Sequence, residues 1–582
     1  MKKSKSFLYI IHVLLFILAF RLFHVQIIKG DFYDDLAKRN YLKFIVIPFP
    51  RGLITDRNGN VLASNKVKYS VYLVPPYEFD ENKTKNLAKI LNLSFEELEK
   101  SLKKINSYTP AVLLKKNLDN KEISLLESNR KQLPSFIINM ELERTYPFGN
   151  IASHILGHVG EIGKEEFLNG EDFDYSLGDM IGKSGLEKIY ERYLRGRKGY
   201  RSIELFSNRK KYNLLPSKDP EPGNTLVLTI DKNLQELAEK VLGDDVGVII
   251  ISDPWSGEIL ALVSHPDFDP NKFVIGFSKK EWEELINNPK NPFNNRAISS
   301  LYPPGSIFKL IVALSVLENN KISLKEKFYC SGGISLGKNF FGCWKSEGHG
   351  SIDFLEGIAQ SCNVVFYNLG LRVGPDEISK MAKKFGLDEK TGIDLPGELK
   401  GLIPSPEWKQ NKLKEPWYPG DTLNMSIGQG YILTTPIEIH FMMSIIATEG
   451  LGYKLHLVKK IINSQGEVVK VFEPEILRKV SLKPESWKIL KEGMKLVVDK
   501  GTGRSAKGEI WSVGGKTGTA QNPHGDSHAW FGAFFPLESP RYVISIFVEH
   551  GKSGGGKCAP KAGEIIRFLE KKEVERVGKD SH

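Results

Sequence analysis

Residues 305–317 read Gly305-Ser306-Ile-Phe-Lys309-Leu-Ile-Val-Ala-Leu-Ser-Val-Leu317, a run that is apolar on almost every side, as is typical of a helix buried in a domain core. The preceding Tyr302-Pro-Pro-Gly305 suits a turn that leads into a helix N-terminus. Because residues i and i+3 share a helix face, we expect the Lys309 amine near the Ser306 hydroxyl. A serine is a poor nucleophile until a base takes its proton, and a lysine can be that base if burial or a second cation lowers its pKa. A lysine in so apolar a helix therefore indicates an activated serine.

A second motif, Ser361-Cys362-Asn363, follows 55 residues after Ser306. We expect Ser361 to relay a proton between Lys309 and a departing or attacking amine, and Asn363 to hydrogen-bond a substrate amide and the lysine. Such a triplet alone is more often only a turn. The Ser-x-x-Lys pattern alone also arises by chance, and it recurs at Ser101, Ser128, Ser207 and Ser335. The order and context of the motifs therefore carry the prediction.

The third motif is Lys516-Thr517-Gly518-Thr519, inside a segment that reads as a strand ending at the active site. Glycines in this segment let a peptide backbone approach closely, as a strand that pairs with substrate requires. We expect the four motif residues to bind substrate, with the Lys516 cation and the Thr519 hydroxyl at its terminal carboxylate. The backbone N–H groups of Ser306 and Thr519 would then form an oxyanion hole. A second Lys-Thr-Gly at Lys390 lacks the preceding glycine pair and is interpreted as a loop.

These three motifs, in this order, resemble those of the penicillin-binding proteins and serine β-lactamases. Three further segments are similar to the membrane-anchored class B penicillin-binding proteins: Arg51–Gly59, Gly185–Glu191 and Asp253–Glu258. Two more are similar to the elongation type of that class, penicillin-binding protein 2: Trp417–Thr422 and Gly428–Pro436. The resemblance runs from about Phe7 to Phe568 and so covers nearly the whole chain.

The resemblance implies a serine-type peptidoglycan D,D-transpeptidase. Such an enzyme would cross-link peptidoglycan stem peptides through an acyl-enzyme on Ser306, during lateral wall elongation and cell-shape maintenance, and β-lactams would target it. Lys309 would be the base, and Ser361, Asn363, Lys516 and Thr519 would complete the catalytic set. No organic cofactor is implied.

Several alternatives share the motifs. A division-type class B transpeptidase is the nearest, and residues 417–436 argue against it. A β-lactamase would need a water-activating group and would not need an anchor. A β-lactam sensor would need a cytoplasmic effector, whereas only about six residues are expected inside the cell. The complete motif set argues against an inactive structural homologue.

The N-terminus predicts a membrane anchor. Met1-Lys-Lys-Ser-Lys5 precedes Phe7–Ile28, a 22-residue apolar stretch that can cross a bilayer core of about 30 Å. A cleaved signal peptide is the alternative, but no Ala-x-Ala-like site follows. The lysines favour a single pass with the N-terminus inside, which places the bulk of the chain on the periplasmic face of the cytoplasmic membrane. The net charge is +11, but the positive residues are scattered along the chain and no nucleic-acid motif accompanies them. No nucleic-acid partner is therefore expected.

We predict an α+β protein in four parts. These are a cytoplasmic tail (1–6), the anchor (7–28), a mixed pedestal of the dimerisation type (30–222) with a head segment at about 66–143, and a transpeptidase domain (224–575). Within the pedestal, Tyr69–Val74 reads as a strand and Lys85–Lys104 as a charged helix. Lys218–Gly223 reads as the linker. Strand patterns near both ends of the last part, such as Val246–Ser252 and His528–Phe535, lie around a helical middle. They predict an antiparallel sheet sandwiched by helices, the penicilloyl-serine transferase fold. The resemblance also implies a SEDS-type glycan polymerase as membrane partner.

Cysteine and histidine residues form an unusual pattern, Cys330-x12-Cys343-x5-His349-x12-Cys362. Three thiolates and an imidazole make a closed tetrahedral set for structural zinc, although the spacing is not that of a standard zinc finger. A disulfide or buried free thiols are the alternatives. The resemblance favours zinc, since some Gram-negative penicillin-binding protein 2 sequences carry zinc ligands in this segment. We expect the metal to fix the loop bearing Ser361 and Asn363 without taking part in chemistry, and Cys558 to lie apart.

Overall fold

A computed structural model describes residues 2–33, 42–47, 49–73, 80–102, 112–133, 136–169, 175, 178–205, 212–214 and 218–580. The chain divides into two compact units. The first comprises residues 1–51, 65–143 and 195–223, and the second comprises residues 52–64, 144–194 and 224–582. The last residue of the predicted strand at 69–74, Val74, lies outside the described residues. The last two residues of the predicted helix at 85–104 also lie outside them.

The first unit begins with the helix Lys2–Phe23, which a π-helical turn extends to Ile28. Residues Phe7–Ile28 are long and apolar enough to cross a membrane, with a mean hydropathy of 2.2. Its other helices are Glu81–Leu91, Phe95–Leu102 and Asn120–Ser128. Its strands are Leu42–Ile47, Val112–Lys115, Gly199–Leu205, Tyr212–Leu214 and most of Val61–Leu73 and Phe136–Thr145.

The predicted helix at 85–104 is two helices. Asn92 adopts a left-handed φ of 51° and ends the first helix, while Asp80 caps the start of that helix with its carboxylate. The apolar faces of these helices pack against the strands through side chains such as Leu87, Leu91 and Val71. This unit therefore has a small core of its own.

The helices of the second unit are Ser153–Leu156, Lys164–Asn169, Gly185–Ile189, Glu191–Leu194, Lys232–Leu242, Asn271–Ile275, Lys279–Ile286, Arg296–Ser299, Lys309–Glu318, Phe354–Ala359, Asn363–Val373, Pro375–Lys384, Pro406–Leu413, Pro419–Ser426, Pro436–Ala447, Pro484–Asp499 and Ala559–Asp580. Its strands outside the central sheet are Ile54–Thr55, Val159–Glu161, Met180–Gly182, Thr225–Leu228, Phe328–Cys330, Gly333–Leu336, Asn339–Gly342, Gly350–Ile352, Leu451–Tyr453, Val458–Ile462, Val468–Val471 and Ile476–Lys479.

A five-stranded antiparallel sheet forms the centre of the second unit. Its strands, in spatial order, are Ile259–His265, Gly247–Ser252, Tyr542–Val548, His528–Phe535 and Gly514–Ala520. Gly514–Ala520, called the edge strand below, therefore has one side unpaired within the sheet. The inner strands read as continuous apolar runs because helices cover both faces.

The two faces of this sheet belong to different hydrophobic clusters. Val248 and Ile250 pack in the cluster that contains the helices Lys309–Glu318 and Pro436–Ala447. Ile249 and Ile251, which point the opposite way, pack in the cluster of the helix Lys232–Leu242 and the C-terminal helix. The predicted antiparallel sheet between helical layers is confirmed.

The middle of this unit is less helical than predicted. Phe328–Cys330 pairs with Gly350–Ile352, and the hairpin Gly333–Leu336 and Asn339–Gly342 lies between them in sequence. Residues 328–352 are called the cysteine loop below. These strands are three or four residues long, which is too short for a pattern of alternating hydrophobicity to be recognised.

Candidate active site

Ser306 lies in a tight turn against the edge strand. Residues Gly305–Phe308 form a 3-10 turn, called the nucleophile turn below because Ser306 is the predicted nucleophile. The α-helix starts only at Lys309, later than the apolar pattern predicted. Gly305 has a φ of +55°, and a Cβ atom there would lie 2.7 Å from the carbonyl oxygen of Thr519. Only glycine fits this approach, which brings the backbone of the nucleophile turn to that of Thr519.

Lys309 is completely buried, and its amine is held by the second motif. The Nζ atom donates to the Ser361 carbonyl oxygen at 2.9 Å and to Asn363 Oδ1 at 2.7 Å, with Ser361 Oγ at 3.5 Å. Burial lowers the pKa of Lys309 to about 8, which places the neutral amine within reach of physiological pH. Among the described side chains, no hydrogen bond joins Lys309 Nζ to Ser306 Oγ, since its donors point to Ser361 and Asn363 instead.

Ser361 connects two lysines and has an unfavourable backbone. Its hydroxyl accepts a hydrogen bond from Lys516 Nζ at 2.8 Å and faces Lys309 Nζ. Its φ is +55°, in the left-handed region that residues other than glycine rarely adopt. Strain of this kind persists only where the surroundings impose it, and it concentrates at active sites.

Lys516 is also completely buried. Besides Ser361 Oγ, its amine donates to the carbonyl oxygen of Thr517 at 3.0 Å. Burial, and then the charge of Lys309, hold the pKa of Lys516 well below its usual value. The two amines thus share one hydroxyl in a dry site, where two positive charges are costly.

The edge strand places the rest of the third motif beside the nucleophile turn. A Cβ atom on Gly518 would lie 2.9 Å from Trp530 Cβ and 3.1 Å from the Pro304 carbonyl oxygen. The Thr519 side chain is exposed, whereas Thr517 is buried with its hydroxyl 2.6 Å from that of Thr502. Glycine at 518 therefore allows the strand to lie directly on the turn that carries Ser306.

The second Lys-Thr-Gly, at residues 390–392, is a loop, as predicted. Thr391 is buried and donates its backbone N–H and its hydroxyl to Glu398 at 2.7 and 2.6 Å. The motif therefore serves a local turn.

The cysteines and the histidine of the predicted metal set lie together. Ligand atoms of Cys330, Cys343, His349 and Cys362 all fall within 4.8 Å of one another. His349 Nδ1 is 3.5 Å from Cys330 Sγ and 3.6 Å from Cys343 Sγ, and Cys343 Sγ is 4.0 Å from Cys362 Sγ. A tetrahedral zinc ion with bonds of about 2.3 Å to sulfur and about 2.0 Å to nitrogen would separate its ligands by about 3.8 Å (S–S) and about 3.5 Å (S–N). The donor set fits zinc in both chemistry and spacing.

All four cysteines of the chain are free thiols, so the disulfide alternative has no support in this structure. Cys558 is buried outside the cluster, in the hydrophobic layer of the C-terminal helix. Cys362 lies directly between Ser361 and Asn363, and the Asn363 N–H points to Cys343 Sγ at 3.4 Å. The cysteine cluster is therefore continuous with the second motif.

Three hydrogen bonds of the site were not predicted. Asn363 Nδ2 and the Tyr367 hydroxyl both donate to the carbonyl oxygen of Gly342, each at 3.1 Å, which links the cysteine loop to the second motif. The hydroxyl of Thr502 bonds to that of Thr517. The position of Thr502 between Gly501 and Gly503 is the sequence signal that could have indicated its close packing. A Cβ atom on Gly501 would lie 2.2 Å from the Ala359 carbonyl oxygen, so this segment too is packed closely.

Comparisons with known proteins agree with this geometry. The family described as penicillin binding protein transpeptidase domain matches residues 247–567, and the penicillin-binding protein dimerisation domain matches residues 46–228. Peptidoglycan D,D-transpeptidase MrdA of Haemophilus influenzae is 32% identical over 96% of this chain and 90% of its own length.

Two solved structures are similar over most of the chain. Penicillin-binding protein 2 of Helicobacter pylori, solved in complex with MreC, matches with a TM-score of 0.77 and 32% identity, over 90% of this chain and 98% of that chain. A chain from a structure described as "Structural coordination of polymerization and crosslinking by a peptidoglycan synthase complex" has a TM-score of 0.73 and 31% identity, over 97% of both chains. This chain therefore belongs to the penicillin-binding transpeptidases, and these matches confirm the predicted penicillin-binding protein 2 type.

Proposed function

We propose that this protein is an elongation-type peptidoglycan D,D-transpeptidase that cross-links stem peptides through an acyl-enzyme on Ser306 and is acylated there by β-lactams. The observation that carries the proposal is the convergence of the three motifs. Lys309, at the start of the helix Lys309–Glu318, and Lys516, on the edge strand, both reach the hydroxyl of Ser361. The MrdA match supports the substrate class.

Acylation begins with proton transfer from Ser306 Oγ to neutral Lys309 Nζ. Ser306 Oγ then forms a bond to the carbonyl carbon of the penultimate D-alanine of a stem peptide. The backbone N–H groups of Ser306 and Thr519 stabilise the resulting oxyanion, which is usually the largest electrostatic contribution to such reactions. The close approach of Gly305 to Thr519 supports this pairing of donors.

Collapse of the tetrahedral intermediate breaks the amide bond and releases D-alanine. Ser361 passes the proton held on Lys309 to the departing amine, since its hydroxyl lies between Lys309 and Lys516. In the second half, the amine of a neighbouring stem peptide attacks the acyl carbon, Ser306 Oγ leaves, and the proton of the amine returns through the same groups. The product is a cross-link and a free enzyme.

Substrate binding falls to the edge strand. An extended stem peptide can pair with the unpaired side of Gly514–Ala520, in the manner of a peptide added to a sheet edge. The exposed Thr519 hydroxyl and the Lys516 cation would hold the terminal carboxylate of the stem peptide. Thr517 and Gly518 shape this strand through the contact with Thr502 and the absence of a side chain.

We propose that the cysteine cluster binds one structural zinc ion through Cys330, Cys343, His349 Nδ1 and Cys362. A zinc ion bound there would supply a rigid cross-link between the cysteine loop and the start of the helix Asn363–Val373, and no acid or base chemistry. The interatomic distances above support this assignment. Ser361 and Asn363 adjoin Cys362, so an ordered cluster would hold both in place for Lys309.

We further propose a single-pass location with the catalytic unit on the periplasmic face of the cytoplasmic membrane. The lysines that precede Phe7–Ile28 support an N-terminus inside the cell. A SEDS-type polymerase partner in the membrane is supported by the similarity to a chain of a peptidoglycan synthase complex. We propose residues 30–222 as the pedestal and residues 224–575 as the transpeptidase domain.

The test uses the full-length protein in detergent with fluorescent penicillin, and intact mass spectrometry reads out the product. We expect one stable adduct on the wild type and none on Ser306→Ala. Ser335→Ala is the matched control, because Ser335 begins an unrelated Ser-x-x-Lys sequence in an exposed hairpin. Rapid turnover of penicillin would instead assign a β-lactamase, and absence of an adduct on zinc-loaded wild type would refute the catalytic assignment.

A further inference from the structure

A cavity of about 440 Å³ lies in the second unit, apart from the residues of the active site. Its walls include Phe268, Phe273, Trp282 and Phe293, with Leu395 and Pro396. Trp282 and Phe293 are 41% and 39% exposed, so the cavity opens to the surface. Its volume and its aromatic lining are those of ligand-binding pockets in proteins.

The aromatic walls are already arranged for ring contacts. The Phe268 and Phe293 ring centroids are 5.4 Å apart, those of Phe273 and Phe293 are 5.7 Å apart, and those of Trp282 and Phe293 are 6.2 Å apart. Rings at these separations make tilted and edge-to-face contacts. A further ring that enters the cavity would extend the same cluster.

One polar side chain of the cavity differs from the others in its hydrogen bonding. Seven Ser, His and Asn side chains line it. Six of these bond to partners: His154 to Pro292 O, His158 to Ser184 Oγ, Asn294 to Ser300 Oγ, Asn295 to Ala297 N and Ser299 to Gly397 O. Ser153 is 1% exposed, and its Oγ has no hydrogen-bond partner among the described residues. A buried hydroxyl without a partner is costly, and a ligand that bonds to it would remove that cost.

The charge of the cavity restricts the ligand. Among the described residues that line it, none is Asp, Glu, Lys or Arg. Burial lowers the pKa values of His154 and His158 to about 4, so both imidazoles are neutral at physiological pH. A charged ligand would lose its hydration without gaining an ionic partner.

We propose that this cavity is a binding site for a small neutral molecule with one aromatic ring and one hydroxyl group, whose hydroxyl pairs with Ser153 Oγ. The ring fills the space between Phe268, Phe273, Trp282 and Phe293. The proposal is independent of the proposed function, because no residue of the three motifs lines the cavity.

The test compares 4-fluorophenol with fluorobenzene, which differ by the hydroxyl alone, by ¹⁹F line broadening with full-length protein in detergent. Empty micelles of the same detergent give the reference for partitioning. We expect saturable binding of both, with 4-fluorophenol bound about 2- to 10-fold more tightly because of one added hydrogen bond. Ser153→Ala should bring the two affinities together, and Trp282→Ala should weaken both.

Acylation by penicillin at the wild-type rate verifies that each variant is folded. Absence of saturable broadening above the micelle reference would overturn the proposal. A preference for 4-fluorophenol that persists in Ser153→Ala would also overturn it, because the hydroxyl would then be bound elsewhere.

Discussion

Ser361 offers a test that separates its chemistry from its backbone conformation. Ser361→Ala and Ser361→Gly both remove the hydroxyl that accepts from Lys516 and faces Lys309. The two variants differ in one respect, since the φ of +55° suits glycine and disfavours alanine. We expect them to lose the same activity but different amounts of stability.

Loss of the hydroxyl leaves the Lys516 amine with a single carbonyl partner, which costs about 1.5–3 kcal/mol for a hydrogen bond to a charged group. The left-handed conformation costs a non-glycine residue about 1–2 kcal/mol. Glycine avoids that strain but loses about 0.5–1 kcal/mol of backbone entropy relative to alanine. Ser361→Gly should therefore be more stable than Ser361→Ala by about 0.5–1 kcal/mol. Loss of the proton relay should slow acylation by about 10²- to 10⁴-fold in both variants.

The assay combines thermal unfolding of the full chain with the rate of acylation by fluorescent penicillin. The expected order of unfolding midpoints is wild type, then glycine, then alanine, with equal acylation rates for the two variants. If alanine proved as stable as glycine, the strain argument would fail. If either variant acylated within tenfold of wild type, Ser361 would not be the proton relay.

Three further outcomes are expected. With Lys309 as the base and its pKa lowered to about 8, acylation should become faster as pH rises, by about tenfold between pH 7 and 9 as the neutral fraction grows, and a rate that falls over this range would exclude the neutral amine. Metal analysis should find one zinc per chain, which Cys343→Ala loses together with thermal stability and acylation rate, whereas Cys558→Ala, outside the cluster, should retain the metal. Gly518→Ala places a Cβ atom 2.9 Å from Trp530 Cβ, so it should destabilise the protein by about 1–3 kcal/mol in thermal unfolding and slow acylation.

The central sheet was predictable because its strands are buried on both faces. The segment Val246–Ser252 was predicted and Gly247–Ser252 is observed, and His528–Phe535 agrees at both ends. Continuous apolar runs of this length, bounded by turn residues, favour a buried strand because they are shorter than a typical helix and rich in β-branched or aromatic residues. The order of the three motifs likewise indicated which serine, among several with a lysine three residues later, lies in a turn against the third motif.

The remaining features depend on contacts between distant segments. The φ of +55° at Ser361 is imposed by its surroundings, and serine by itself favours other conformations. The direction of the Lys309 amine, toward Asn363 and away from a hydrogen bond with Ser306, depends on the position of a helix 54 residues later. The short strands of the cysteine loop follow from pairing with each other and leave no periodic signal.

The order of the central sheet has a consequence for biogenesis. Gly247–Ser252 pairs with Tyr542–Val548, so a strand near the start of the last segment of the second unit (224–582) can pair only after a strand almost 300 residues later has been made. While the chain is synthesised from its N-terminus, the early strands therefore emerge with an apolar edge exposed, which invites misassembly. The turn that carries Ser306 is made early, but the edge strand that lies against it is made late. A chain whose synthesis stops before residue 514 would thus lack the edge strand, and we expect that penicillin could not label it.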